Sequence, residues 1–489
     1  MAPSGLMLRL TRTLPLIVAA LAFAIGATAR PVAAQIGLET VVPLELRGPV
    51  SGIIVGIISD GEFALLQSFG SSVLATDAVD SAAVAPTDSL QIDAVFPFPW
   101  GTQMLLGVTA RALASQNLLG LDVPISAYLT ELRDTDLGSA TVSQLLMESA
   151  GLPDLSPPPN MSWTQLMDRA AQIPLVTKPG SAYSRSRLSY PLVARVLERV
   201  VGLPINEVLT AAVLSPLGMV QSSFSPITAS EQGQLIQGYE MPADEVVPVP
   251  HVLDIGGLPV LYTSMDDLMT FVAAWMAGDL RGASPVQADP WNGEGLMGSR
   301  LYVDGMWYEA ERQLPRVSLR DEGVGFGVGL DLYPESGVAL AVVANGQLPT
   351  GVLSWAESEV EVALMELMPT TASDDATAPA TELAEVPAEG AAPSTEEPAE
   401  PPLPADLPDW VGTFENGGAA LTLELDDEGN PVIVRNEERV PMLRLDERVW
   451  GLPTPAGLVA MRLTRVDGQP VVFTGGAVYR RLAPTESQD

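Results

Sequence analysis

Cysteine is absent from this chain of 489 residues, lysine occurs once, at Lys178, and histidine once, at His251. Without cysteine there is no disulfide, thiolate nucleophile, lipid-modified cysteine or cysteine-based metal centre. One imidazole is too few for a histidine-based zinc site. A Ser-His-Asp triad would have to use His251, in Pro-Val-Pro-His-Val-Leu-Asp254, and the chain has no Gly-x-Ser-x-Gly elbow. A loop histidine bonded to backbone is the commoner role for such a residue. Charged residues are sparse, at 17%, and one-sided: 25 basic against 60 acidic, a formal net charge of -35. Such a surface repels nucleic acid and anionic lipid. No phosphate loop is present. Gly323-x-Gly-x-Gly-x-Gly329 lacks a strand-to-helix setting and reads as a strand lying close to its neighbours. No cofactor is implied.

What is plentiful is apolar: 47% of residues, enough for a large core in a chain with room for two or three domains. The first 34 residues read as a signal peptide. Arg9 and Arg12 are followed by an apolar run from Leu14 to Ala29, then small residues, with cleavage after Ala29 or after Ala34. An uncleaved anchor is the alternative, for which the run is short. Both readings place the remainder outside the cytoplasm. No later segment is long and apolar enough to cross a membrane.

Residues 36–368 mix strand and helix patterns. Ile53–Ile58 and Phe63–Phe69, joined by Ser59-Asp60-Gly61, read as a hairpin. Helices are expected over Gln103–Gln116, Pro191–Val201, Ser264–Met276 and Trp355–Met368, and a buried strand over Val338–Ala344. Strands at both ends with helices between them suggest an α/β arrangement of the α+β sandwich type. Residues 369–405 are rich in Pro, Ala, Glu and Thr, which reads as a disordered acidic linker. Residues 406–484 return to short alternating runs and turns, a small antiparallel β domain with no candidate chemistry.

Six segments then fall in a telling order. They are Gly52 to Gly61; Leu119-Gly-Leu-Asp-Val-Pro-Ile-Ser-Ala-Tyr-Leu129; Leu145-Leu146 through Gly151-Leu152-Pro153; Pro179-Gly180 with Tyr190 through Gly202; Pro216-Leu-Gly-Met219; and Gly256-Gly-Leu258 with Ser264, Asp267, Leu268 and Phe271. Each alone is weak. In this order and spacing the region from Gly48 to Met368 resembles the β-lactamase-related serine hydrolases, the family of class C β-lactamases, penicillin-binding proteins, D-amino-acid peptidases and related esterases. The resemblance implies a β-lactamase/DD-peptidase-like domain: an antiparallel sheet flanked by helices, with a second helical lobe. The C-terminal domain, from Trp410-Val-Gly-Thr-Phe414 to Tyr479-Arg-Arg481, is similar to the lipocalin-like β domain often appended to it.

The family's reaction uses Ser-x-x-Lys at a helix start, where about one turn of separation sets the amine beside the hydroxyl. A Tyr-x-Asn pair and a Lys/His-x-Gly strand complete its site, and backbone N–H groups, one on the serine itself, hold the oxyanion. None of the three motifs survives. Phe96-Pro-Phe-Pro-Trp-Gly-Thr-Gln103 puts Trp100 in the serine slot and Gln103 in the lysine slot. The residue three before the single lysine is Leu175, so no register restores Ser-x-x-Lys. Tyr-x-Asn becomes Arg185-Ser186-Arg187, or, two residues earlier, Tyr183-Ser184-Arg185. Arginine cannot shuttle protons near neutral pH. The strand motif falls on Leu319-Arg320-Asp321, and no Lys or His follows His251. Glu148 stands where the family has His.

Two readings of the altered cleft follow. Trp100, Tyr183, Arg185, Arg187 and Arg320 converge to hold a peptidoglycan-like peptide or another anionic ligand, since guanidinium forks suit carboxylates. Alternatively the cleft is filled, with Trp100 plugging it and the arginines paired to Asp or Glu. The functional expectation is an extracytoplasmic pseudoenzyme that binds a cell-wall-like ligand or a protein partner. The alternatives are a serine hydrolase with a rearranged nucleophile at Ser184 or Ser186, and a purely structural envelope protein.

Overall fold

The computed structural model describes residues 52–72, 89–155, 161–240, 246–278, 300–303, 305–309, 312–367, 403–435, 438–446, 448–454 and 457–482. The N-terminal leader and residues 369–402 of the acidic linker lie outside them. In the larger domain the main elements are β1 (Gly52–Ser59), β2 (Glu62–Gly70), β3 (Val95–Phe98), α1 (Pro99–Ser115), α2 (Ser189–Val201), β4 (Leu261–Ser264), α3 (Met265–Met276), β5 (Arg300–Val303), β6 (Met306–Glu309), β7 (Arg316–Gly323), β8 (Phe326–Tyr333), β9 (Val338–Ala344) and α4 (Thr350–Leu367). Seven of the strands form one antiparallel sheet in the order β2-β1-β9-β8-β7-β6-β5. The small β3–β4 ladder lies apart from it.

Strands β1 and β9 read as unbroken apolar runs because helices cover both faces of the sheet. Side chains alternate between two cores. From β1, Ile54 and Ile58 enter the core shared with the helical lobe, while Ile53, Val55 and Ile57 enter the core under α4. From β9, Ala339, Ala341 and Val343 take the first direction, and Val338, Leu340 and Val342 the second. The glycine-rich stretch is β8 with its preceding turn, as its spacing suggested. A Cβ on Gly327 would lie 2.3 Å from the Leu348 nitrogen, so only glycine lets this segment lie so close.

Several helices begin earlier than their apolar periodicity indicates. α1 starts at Pro99, a residue whose fixed φ and missing N–H suit a first helical position. Ser264 caps α3, its hydroxyl accepting from the Asp267 amide. α4 starts at Thr350, five residues before Trp355. Among the described residues no single helix is long and apolar enough to cross a membrane.

The C-terminal domain is all β: β10 (Gly412–Asn416), β11 (Ala419–Leu425), β12 (Pro431–Arg435), β13 (Glu438–Pro441), β14 (Leu443–Asp446), β15 (Val449–Thr454), β16 (Gly457–Val466), β17 (Gln469–Thr474) and β18 (Ala477–Arg481). Its sheet order, β13-β12-β11-β10-β18-β17-β16-β15-β14, is that of a strongly curved, nearly closed meander. Trp410, Phe414, Trp450 and Leu423 fill its separate core.

Candidate functional site

The first turn of α1 carries both altered slots. Phe98 precedes it and gives no side-chain cap, so first-turn amides need acceptors from elsewhere. The Asp321 carboxyl lies where the Trp100 backbone amide favours its charge. It lies there because of strand parity: Val317, Leu319 and Asp321 share one face of β7, and the first two pack in the core beside α1. Asp321 is buried, and desolvation raises its pKa to about 7 despite that amide. The Trp100 indole turns to the β5–β6 hairpin, its Nε1–H donating to the Gly305 carbonyl at 3.1 Å. Gly305 has φ +88°, and a Cβ there would lie 3.4 Å from the Gln103 Cβ. The hairpin turn therefore sits directly on the two slots.

Tyr183 forms the opposite wall. Its ring packs against Tyr302 at 5.3 Å and Trp307 at 5.2 Å, a facing pair on β5 and β6. Phe473 of the C-terminal domain meets the same ring at 6.4 Å. The Tyr183 hydroxyl donates to Glu148 Oε2 at 2.9 Å. Burial pushes the Glu148 carboxyl up to about 8, and burial with the facing carboxyl pushes the Tyr183 phenol well above its ordinary value. Glu148 itself holds a left-handed backbone conformation, φ +49°, and its carbonyl accepts the Ser184 amide at 2.8 Å. A protonated carboxyl and a neutral phenol make a poor proton relay at neutral pH.

The three arginines do not converge. Arg320 has the parity opposite to Leu319 and Asp321, so it points away from the cleft toward α4. There it bonds both Asp331 oxygens, at 3.0 and 2.9 Å, and Glu357. Arg185 stays at the cleft but pairs with Asp154 at 3.2 Å. Arg187 is exposed. The geometry thus favours the filled cleft over an arginine-lined anion site.

Ser184 and Ser186 are both buried; their hydroxyls donate to the Leu152 and Pro153 carbonyls at 3.3 and 2.7 Å. His251 sits half-buried with its ring edge-on to Tyr262, and burial lowers its pKa. Below α1 is an apolar cavity of about 10 Å³, bounded by Phe98, Met104, Leu261 and Phe271, too small for a substrate. Sequence reasoning missed Tyr302, Trp307 and Phe473, which carry no motif and meet Tyr183 only through the fold.

A family model described as Beta-lactamase matches residues 40–363. The chain is 23% identical to Protein flp of Staphylococcus aureus (strain COL) over 243 residues, 47% of each chain. It therefore spans about half the length of the curated relatives it matches. Its fold is similar to that of SurE, with TM-score 0.66 and 19% identity over 92% of this chain and 98% of that one. It is also similar to a class C β-lactamase from Rhodobacter sphaeroides, with TM-score 0.52 and 17% identity over 65% of this chain and 95% of that one. At these identities the likeness speaks for the fold alone.

Proposed function

This chain belongs to the beta-lactamase family, and on that scaffold we propose an extracytoplasmic protein that has given up the family's hydrolysis and acts by binding. One observation carries the reading. At the helix start where the family's reaction needs a hydroxyl and an amine, Trp100 and Gln103 stand, and the buried Asp321 carboxyl lies beside the backbone amide at the hydroxyl's position. A developing oxyanion would meet a buried acid beside its backbone donor. The apolar leader between Arg9 and Ala34 supports export.

Internal pairing of Arg185 and Arg320 turns the proposed binding away from a small anion. It points toward a protein partner or a peptidoglycan-like peptide, which aromatic and main-chain contacts can hold. The rearranged hydrolase would need Ser184 or Ser186 to leave buried hydrogen bonds to carbonyls before attacking anything.

The test is intact-mass analysis of the purified protein after exposure to a fluorophosphonate and, separately, to benzylpenicillin. A catalytically active class C β-lactamase labelled in parallel is the control. No mass increase is expected. A single stoichiometric adduct on a serine would overturn the reading and identify the nucleophile.

A further inference from the structure

The cleft has an occupant within the chain itself. The turn between β17 and β18 reaches the loops that carry the second altered motif: the Arg185 amide donates to the Gly476 carbonyl at 2.8 Å, and the Val478 amide to Ser184 Oγ at 3.4 Å. From the neighbouring β10–β11 turn, Asn416 Oδ1 accepts the Asp154 amide at 2.6 Å, while its Nδ2 holds the Val478 carbonyl at 2.8 Å. Arg480 donates to the Leu175 carbonyl at 3.0 Å. Gly417 passes so close that a Cβ would lie 2.8 Å from the Asp154 carbonyl oxygen. A small apolar cluster joins the two sides: Ala182 from the larger domain with Val466, Val471, Val478 and Phe473 from the smaller one.

This seam differs in kind from the cores it separates. Each domain has its own apolar interior. The seam has one small apolar cluster ringed by hydrogen bonds to backbone, the make-up of a separable interface rather than a shared core. Residues 368–402 join the domains, and their Pro-, Ala- and Glu-rich composition is that of a linker. Yet what the seam covers is the Tyr183 wall.

We propose that the β17–β18 hairpin is a removable occupant of the cleft. The C-terminal domain docks on the loops bearing Glu148, Asp154 and Tyr183, and a ligand reaches Tyr183, Tyr302 and Trp307 only when that domain lifts away. The gate goes beyond the binding reading and does not depend on it, since undocking would control access to a working cleft equally well.

Amide hydrogen exchange on the full chain tests this, with the Asp154 and Arg185 amides as reporters because the smaller domain supplies both acceptors. In the unaltered protein these amides are expected to exchange through a partial opening. They should exchange faster than β1 and β9 of the larger domain and faster than β16 of the smaller one. Ala182→Glu places a charge in the seam, and F473A with R480A removes contacts from the other side. Either change is expected to speed exchange at both reporters by about tenfold or more, with β1, β9 and β16 unchanged. The two variants alter different domains, so if one fails to fold the other still decides. The proposal is overturned if the reporters exchange only together with the core strands, or if their rates stay unchanged in both variants. Neither result bears on covalent labelling, so this proposal and the loss of hydrolysis stand or fall separately.

Discussion

On the face of β7 that meets α4, Arg316 and Arg320, with Arg312 just before the strand, stand among four carboxylates: Glu309, Asp331, Glu357 and Glu361. On the opposite face Asp321 is just as buried, but the neighbours acting on its charge are a backbone amide and the like-charged Glu322. One sheet thus handles buried carboxylates in two ways. Toward α4, guanidinium groups balance them; Arg316 is almost buried and bonds Glu309 at 3.0 Å and Glu357 at 3.1 Å. Toward the cleft burial raises Asp321 to about 7 and Glu148 to about 8; toward α4 burial raises Asp331 to about 7 as well, so what sets the two sides apart is the arginine bonding and not the direction of the shift. The difference teaches what has become of the cleft. A hydrolase of this family holds cations there, whereas here acids are held there and discharged by protonation, which costs less than an unpaired buried charge.

Removing the balance on the α4 side should have the largest effect of any single substitution. Arg316→Met would leave Glu309 buried with only the more distant Arg312 beside it and take from Asp331 one of its two arginines, at an expected cost of about 3–5 kcal/mol. Urea unfolding at neutral pH measures it. A loss below about 1 kcal/mol would mean that these carboxylates are discharged like those of the cleft, and the contrast between the two faces would vanish.

The cleft face should show itself through pH. Asp321 and Glu148 have folded pKa values of about 7 and about 8, above their ordinary 3.8 and 4.5. In that window the folded state binds more protons than the unfolded one. Their contribution to stability is complete below about pH 4 and is lost as pH rises through 7 to 8. The chain should therefore be more stable at pH 5 than at pH 8.5, by roughly 6 kcal/mol from these two groups, with Asp331, also raised to about 7, adding in the same direction. Relief of surface repulsion at low pH adds in the same direction, so the decisive comparison is with D321N and E148Q. Both amides stay neutral, and both variants should show a flatter stability profile between pH 5 and 8.5. A slope unchanged in both would place the titrating protons elsewhere.

Much of this layout could be read from the chain beforehand. The unbroken run Val338–Ala344 is β9 as expected, and Ser59-Asp60-Gly61 does join the first two strands. The altered slots at Trp100 and Gln103 do open a helix. What went astray was a matter of faces. Assigning Leu319-Arg320-Asp321 to one motif said which residues were there but not which way each points, and strands reverse direction at every residue. The signal was nevertheless present. Val317 and Leu319 are apolar in phase with Asp321, while Arg312, Arg316 and Arg320 recur every fourth residue, and Glu357 and Glu361 are one helical turn apart. Those two spacings match a strand face to a helix face. The aromatic wall had no such trace, because Tyr183, Tyr302, Trp307 and Phe473 come from separate stretches of both domains and no local pattern links them.

The smallest expected effect sharpens the same contrast from within the α4 network. Arg312 makes the same kinds of bond as Arg316, to Glu361 at 3.0 Å and Glu309 at 3.4 Å, but its side chain is 41% exposed against 10%. Water screens its charge and can replace its partners, so Arg312→Ala should cost only about 0.5 kcal/mol in the same urea experiment. If burial is what makes charge balance matter here, the two substitutions must differ several-fold. Equal losses would mean that the network acts as one unit whose members cannot be ranked by exposure. The protonated acids of the cleft would then have to be compared with the whole cluster rather than with Arg316 alone.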